Sequence, residues 1–442
     1  MNSISRSPVY NIKAVLNETG LTADVLRAWE RRYGLPMPQR TPGGHRLYSA
    51  YDIETIKWLK ARLEEGLSIS RAVQAWNEIA GAGRDPLQAG PPPASPSLPV
   101  HPETALSQIE QYRGEWLEAG MSFDERRADQ VLNQAFAVYP VETVATQILQ
   151  AGLSQIGDDW FNEQASVQQE HFISAMAMRR LNALLTAAPP PVKRLSVLIG
   201  APSNEWHSFP VLLLSLLLRR SGVRVVYLGV DLPVERMEES ATVIQPGLVI
   251  LAAQQLTTAA TLRAAALQLN RNNIPLAFGG LIFNRVPALR QRIPGHFLGD
   301  SIEKAFQLIT GPGLSLAPSA EEASADPCRE LARLFREKRP AIELELYGKL
   351  DMEYLAAANR FFGSGLNAAL ELGDPVYLEA DMDWITHLLK GRGVPDQALP
   401  SFLEAYSRQV EKALGAASAP ITAWINSYLE RTAALRSGMD QA

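Results

Sequence analysis

The sequence predicts a multidomain chain of α and α/β class: a small helical head, a helical bundle, a doubly wound parallel α/β domain and an all-helical C-terminal domain. Three observations predict it. At 442 residues the chain exceeds one ordinary domain. Pro, Gly and Ser concentrate at 81–103 and 311–327, and Ala188-Pro-Pro-Pro191 adds a shorter stop, so the chain divides into 8–80, 104–188, 192–310 and 328–442. Only the third of these segments alternates strand-like and helix-like apolar runs; the others carry apolar residues at three- and four-residue spacing.

Composition excludes several classes. No apolar run reaches the roughly 18 residues that span a bilayer, and no charged-then-apolar leader opens the sequence. The single cysteine, Cys328, excludes an internal disulfide and a cysteine-rich zinc site. The expectation is a cytoplasmic protein without a membrane partner. The net charge of −5 hides an asymmetry: residues 1–48 hold one Lys and six Arg against one Asp and two Glu, the sign needed to approach phosphates.

The head opens with Val9–Val15, turns at Thr19-Gly20, and continues as a helix through Arg27-Ala-Trp-Glu-Arg-Arg-Tyr-Gly34. Thr22 reads as its N-cap and Gly34 as its stop. Val25, Leu26 and Trp29 are expected to face inward, with Arg27, Arg31 and Arg32 outward. Two short helices, the second arginine-rich, make a helix-turn-helix. Pro38–Tyr48 supplies a hairpin with a Gly43-Gly44 tip, a wing beside the second helix. From Tyr10 to Trp76 this winged helix-turn-helix resembles the MerR family of transcription regulators, through Arg27–Gly34, Arg40-Thr-Pro-Gly-Gly-His-Arg-Leu-Tyr48 and Asp52-Ile-Glu-Thr-Ile56. The resemblance implies binding of double-stranded operator DNA as a homo-oligomer, a dimer or higher assembly. It implies base contacts around Arg27, Arg31 and Arg32, and phosphate contacts from Arg40, His45, Arg46 and Tyr48.

The segment 104–188 reads as a four-helix bundle, with Trp160 and Glu170-His171 about three helical turns apart if the helix is unbroken. In 192–310 the strands are Leu195–Ile199, Arg224–Leu228, Leu248–Ala252 and Leu276–Phe278. After the first strand comes Ala201-Pro-Ser-Asn-Glu-Trp-His-Ser-Phe-Pro210, then a buried helix over Val211–Leu218 closed by Arg219 and Arg220. His207 therefore stands at the carboxyl end of a first parallel strand, where open α/β sheets hold ligands. Glu205, two residues before it, can orient the imidazole of a metal ligand.

Trp160 and Glu170-His171, followed by an α/β unit with an acidic-x-His motif, resemble the cobalamin-binding module of methionine synthase type. That resemblance implies His207 as the cobalt ligand, Glu205 tuning its basicity, and Gly279-Gly280 admitting the nucleotide tail. With the head, residues 8–310 are similar to the CarH/LitR class of light-sensing repressors, which implies adenosylcobalamin with Trp160, Glu170 and His171 over its upper face. Three positions depart from the pattern: Pro210 replaces a glycine, Ala252 or Ala253 a serine, and Phe161 a histidine usual in the light-sensing repressors.

Residues 328–442 read as helices over Cys328–Glu337, Ala341–Leu350, Tyr354–Leu372, Val376–Leu389, Gln397–Leu414 and Ile421–Leu435. One reading is a globin-like bundle for dimer contacts with Trp384 in its core. The other is a resemblance to the bilin-binding part of the photocobilins, which implies biliverdin near Asp383, His387 and Arg360. The expected function is a light-responsive transcriptional regulator, not an enzyme. A regulator sensing cobalamin level stands as an alternative, and a cobalamin-dependent transferase as the enzymatic one.

Overall fold

The structure, a computed structural model, describes residues 4–21, 23–41, 46–64, 69–81, 84–87, 102–233, 237–311, 328–347, 355–391 and 394–439. By internal contacts the chain forms two compact units, Met1–Glu118 with Arg126–Ile148 and Ala119–Glu125 with Leu149–Ala442.

The first unit begins with strand β1 (Pro8–Asn11), helices α1 (Ile12–Thr19) and α2 (Ala23–Tyr33), strands β2 (Gln39–Arg40) and β3 (Arg46–Ser49), and helices α3 (Ala50–Glu64) and α4 (Ile69–Gly81). Asn11 caps α1 by accepting from the Ala14 N–H, and Gly20 ends it in the left-handed region at φ 69°. The strands form an antiparallel sheet in the order β1-β3-β2. At the start of α3, Ser49 and Asp52 exchange backbone and side-chain hydrogen bonds in a capping box. The core joins Val15, Leu26, Trp29, Tyr48, Ile53, Ile56 and Leu59. Val25, expected to face inward, is 38% exposed. Leu26 and Trp29, at i and i+3, occupy the inward stripe and leave position 25 on the flank. Thr22, the expected N-cap, and the Gly43-Gly44 tip lie outside the described residues.

Helices α5 (Pro102–Met121), α6 (Glu125–Val138), α7 (Val141–Thr143) and α8 (Ala151–Phe161) follow, with a π-helical turn over Val144–Gln150 feeding α8. Helix α9 (Val167–Thr186) starts from a capping box at Ser166 and Gln169. The helix is interrupted between α8 and α9, with Glu163 at φ 59°. Trp160 and Glu170-His171 thus stand on two helices, and the three-turn spacing of an unbroken helix does not apply.

The second unit contains β4 (Ser196–Pro202), α10 (Phe209–Arg220), β5 (Arg224–Leu232), α11 (Met237–Ile244), β6 (Leu248–Ala252), α12 (Leu256–Arg271), β7 (Leu276–Gly279), α13 (Ile282–Arg285), β8 (His296–Phe297) and α14 (Ile302–Thr310). The sheet is parallel throughout, in the order β5-β4-β6-β7-β8. It is buried on both faces, as parallel sheets require. Val197 and Ile199 of β4 pack with α10 and α14, while Leu198 packs on the α12 side. Pro210 lies in the first turn of α10, where no intrahelical N–H partner is needed.

The C-terminal helices are α15 (Cys328–Tyr347), α16 (Leu355–Leu372), α17 (Glu379–Gly391), α18 (Ala398–Leu414) and α19 (Ala419–Met439). Where the sequence suggests a break near Pro340, α15 continues through it. Leu331, Phe335, Ile342 and Leu346 keep one buried face on both sides of the proline, and that burial outweighs one lost backbone hydrogen bond. These helices share one apolar core with the α12 side of the sheet. Arg263 of α12 donates to the Glu371 carbonyl, and Arg292 to the Tyr377 hydroxyl.

Candidate cofactor and DNA sites

Strand order reverses between β4 and β6, because β5 lies on one side of β4 and β6 on the other. The loops leaving the carboxyl ends of β4 and β6 border the crevice at that switch point. Glu205 lies in the first loop, 1% exposed, and its carboxylate bridges both. One oxygen accepts from the His207 N–H at 3.0 Å and contacts its Nδ1 at 2.5 Å. The other accepts from the Gln254 N–H at 2.7 Å and the Thr258 hydroxyl at 2.6 Å. A carboxylate only accepts, so Nδ1 carries the proton and Nε2 is the ring nitrogen that could hold a metal. The His207 side chain is 53% exposed, unlike its partner.

Charge follows from this geometry. Burial alone would raise the Glu205 carboxyl, but hydrogen bonds from His207, Thr258 and the Gln254 N–H outweigh burial and hold it below its ordinary range. The hydrogen bond to Glu205 raises the His207 imidazole, against a smaller opposing effect of burial, with the Glu205 and Glu170 carboxylates adding to the rise.

Glu170 acts on His207 from α9, so this helix faces the histidine loop. Met178 of the same helix meets the Ser208 hydroxyl at 3.6 Å. Glu170 also receives the Ser174 hydroxyl at 2.7 Å and lies 2.5 Å from Nδ1 of the exposed His171. Trp160 is half-buried at the end of α8. The Asp231 N–H donates to the Glu205 carbonyl and the Asp231 carboxylate accepts from the Asn204 N–H, so the end of β5 also fixes the loop.

The two glycines do different work. Gly280 has φ 122°, and a Cβ there would stand 1.9 Å from the Ala253 carbonyl oxygen, so its small size serves the packing of β7 against β6. A Cβ on Gly279 would meet nothing within 4 Å. That position leaves room beside the crevice.

In the head, Arg27 is exposed on α2 and Arg40 on β2. The side chains of Arg31 and Arg32, and all of His45, lie outside the described residues. Arg46 forms an ion pair with Glu30 at 2.7 Å. Tyr48, expected at the phosphates, is fully buried and donates its hydroxyl to Glu30 at 2.5 Å. It serves the head by holding α2 against β3 through Glu30. Burial and the Glu30 carboxylate together push the Tyr48 phenol far above its ordinary value.

Three segments match described families: a MerR HTH family regulatory protein over residues 10–78, and B12 binding domains over 113–185 and 195–303. The HTH-type transcriptional repressor CarH of Myxococcus xanthus is 31% identical over 290 residues, which cover 65% of this chain and 94% of that one. The chain belongs to the CarH family of MerR-type regulators. The repressor CarA of the same organism is 30% identical over 243 residues, covering 54% of this chain and 75% of its own. A solved monomethylamine corrinoid protein of Methanosarcina barkeri, 19% identical, aligns over 46% of this chain and 97% of its own with a TM-score of 0.39.

As a member of this family, the chain is a DNA-binding, cobalamin-binding transcriptional regulator. Its residues fit a corrinoid, since a single imidazole is presented with its second nitrogen hydrogen-bonded and a glycine leaves adjoining space. The named relatives above from Myxococcus are repressors. No helix among the described residues is long and apolar enough to cross a membrane.

The helices from Cys328 onward follow the end of the last matched segment at residue 303. Asp383 and His387 stand on α17, but their side chains lie outside the described residues. Arg360 is exposed on α16, 5.3 Å from the Phe361 ring. Trp384, expected in a core, is 38% exposed and stacks on Phe161 at 6.1 Å and 18°. Sequence reasoning missed Thr258, Gln254 and Glu30. For Thr258, the usable signal was a hydroxyl in the first turn of the helix after the third strand.

Proposed function

We propose that this CarH-family regulator is light-responsive, holding adenosylcobalamin on His207 and reading paired half-sites of operator DNA as a dimer or tetramer. In this reading residues 8–80 are the head, 104–188 the cap, 192–310 the cofactor domain and 328–442 the added helices, with 81–103 and 311–327 as linkers. The observation that carries it is the Glu205 carboxylate, buried across the switch point and orienting a half-exposed imidazole. His207 offers Nε2 to cobalt, Glu205 holds the Nδ1 proton, and Thr258 and the Gln254 N–H hold Glu205. Trp160, Glu170 and His171 would help to hold the bound cofactor, and Gly279 would leave space for its nucleotide tail. When bound, the cofactor supplies a light-labile cobalt–carbon bond. Arg27, Arg31 and Arg32 of α2 read bases, and Arg40, His45 and Arg46 meet phosphates, with Tyr48 and Glu30 orienting Arg46.

The test is the absorption spectrum and assembly size of the full chain reconstituted with adenosylcobalamin, before and after green light, together with operator affinity. The expected result is a spectral change coupled to a change in assembly. A His207→Ala variant should lose the spectrum of histidine-ligated cobalt. An unchanged spectrum in that variant refutes the ligand assignment. Bound cobalamin that alters DNA affinity identically in dark and light refutes light sensing and indicates a sensor of cobalamin level.

A further inference from the structure

One turn of α17 touches both α13, which follows the Gly279-Gly280 turn, and the end of α8. Asp381 and Trp384, at i and i+3, share a helix face. On that face Arg285 of α13, five residues after Gly280, stands 3.8 Å from the Asp381 carboxylate. The same guanidinium donates to the Ala380 carbonyl at 2.6 Å. One turn further, Trp384 stacks on Phe161, the last residue of α8 and the neighbour of Trp160. Glu379 accepts from the Trp424 indole N–H at 3.2 Å and pairs with Arg431, so the start of α17 is also fixed to α19.

We propose that Trp384 is a positioning residue for the cofactor site. Its ring braces the end of α8, and so sets Trp160, against a helix anchored beside the Gly279-Gly280 turn. The inference rests on the cofactor reading above for its consequence, but the brace itself is a property of the ligand-free chain. Trp384 is more than a third exposed, and a tryptophan whose ring stacks on another element at the surface holds that element rather than filling a core. Any displacement of α8 must then either break the stack or carry α17 with it. The C-terminal helices are thereby coupled to α8.

The test is amide hydrogen exchange on the ligand-free full chain. Trp384→Ala should speed exchange in the last turn of α8 by about fivefold, the size of effect an aromatic pair carries. Phe161→Ala should do the same in α17, and Trp384→Phe, which keeps a ring opposite Phe161, should leave exchange in both helices near native. Unchanged exchange in α8 and α17 overturns the brace. A second arm titrates adenosylcobalamin by absorbance. Trp384→Ala should weaken binding severalfold and Trp384→Phe should recover it, because a loosened end of α8 must be ordered on binding. Faster exchange with unaltered affinity overturns the positioning role. If the native chain takes up no cobalamin, the cofactor reading fails, and the exchange arm still decides the brace.

Discussion

Replacing Glu205 with Gln keeps the shape of the side chain and removes its charge. The four donors around Glu205 divide evenly, and each oxygen faces one backbone N–H, that of His207 on one side and Gln254 on the other. A backbone N–H cannot turn round, whereas the glutamine amide offers one accepting oxygen and one donating NH2. Whichever way the amide is turned, a donor meets a donor in a site 1% exposed. One buried N–H left unpaired costs about 1–3 kcal/mol, and exchanging charged for neutral hydrogen bonds on the remaining side costs about 1 kcal/mol more. The expected loss is about 3 kcal/mol. Amides of β4 that open only with the sheet should then exchange about 100-fold faster in the ligand-free full chain. The His207 imidazole, followed by NMR, should fall back from its raised position toward its ordinary value of 6.5. An acceleration of β4 exchange of less than about fivefold, corresponding to roughly 1 kcal/mol, would refute the reasoning. So would an imidazole that stays raised.

The same pair dictates a pH profile for ligand-free stability. The raised His207 stabilises fully below its ordinary value of 6.5 and loses that contribution as pH climbs through its raised one. The lowered Glu205 stabilises above its ordinary 4.5 and loses its contribution as pH drops through its lowered value. Protection of the histidine loop should peak between these two ordinary values, and a flat profile in hydrogen exchange would contradict the pairing. Gly280→Ala, with its 1.9 Å approach to the Ala253 carbonyl and positive φ, should destabilise the sheet by more than about 3 kcal/mol. Gly279→Ala should leave the ligand-free chain within about 0.5 kcal/mol of native in urea unfolding while weakening cobalamin uptake measured by absorbance. In the head, Tyr48→Phe removes a buried donor to Glu30 and should cost about 1–3 kcal/mol, read as faster exchange in β3. It should also reduce operator affinity in a gel-shift titration, because Arg46 loses the partner of its partner.

Much of this molecule is written locally. Strands β4 and β6 follow from continuous runs of Val, Ile and Leu, the mark of a sheet buried on both faces. The Glu205–His207 contact spans two residues, so the sequence already holds both members. Thr258 was illegible for the opposite reason. It lies 53 positions from Glu205, and only the strand order that seats β6 beside β4 brings it there. Strand β8 has two residues, too short for an alternating pattern. The breaks were misread at Pro340 and between Trp160 and Glu170. In the first, tertiary burial carried a helix through a proline. In the second, a serine cap at residue 166 started a new helix where spacing alone allowed one to continue. Tyr48 fits a phosphate motif, but burial decides what its hydroxyl meets.

The apolar core on the α12 side of the sheet runs without interruption into the C-terminal helices: Leu262, Ala266 and Leu269 belong to the same cluster as Leu366, Ala369 and Tyr406. Such a core unfolds as one cooperative body. A truncation ending near residue 310 would therefore not release a shorter intact domain. It would bare the outer face of α12 to water and invite association through that face. The added helices are thus not a detachable module. Any substitution that loosens them draws on the stability of the sheet that carries His207.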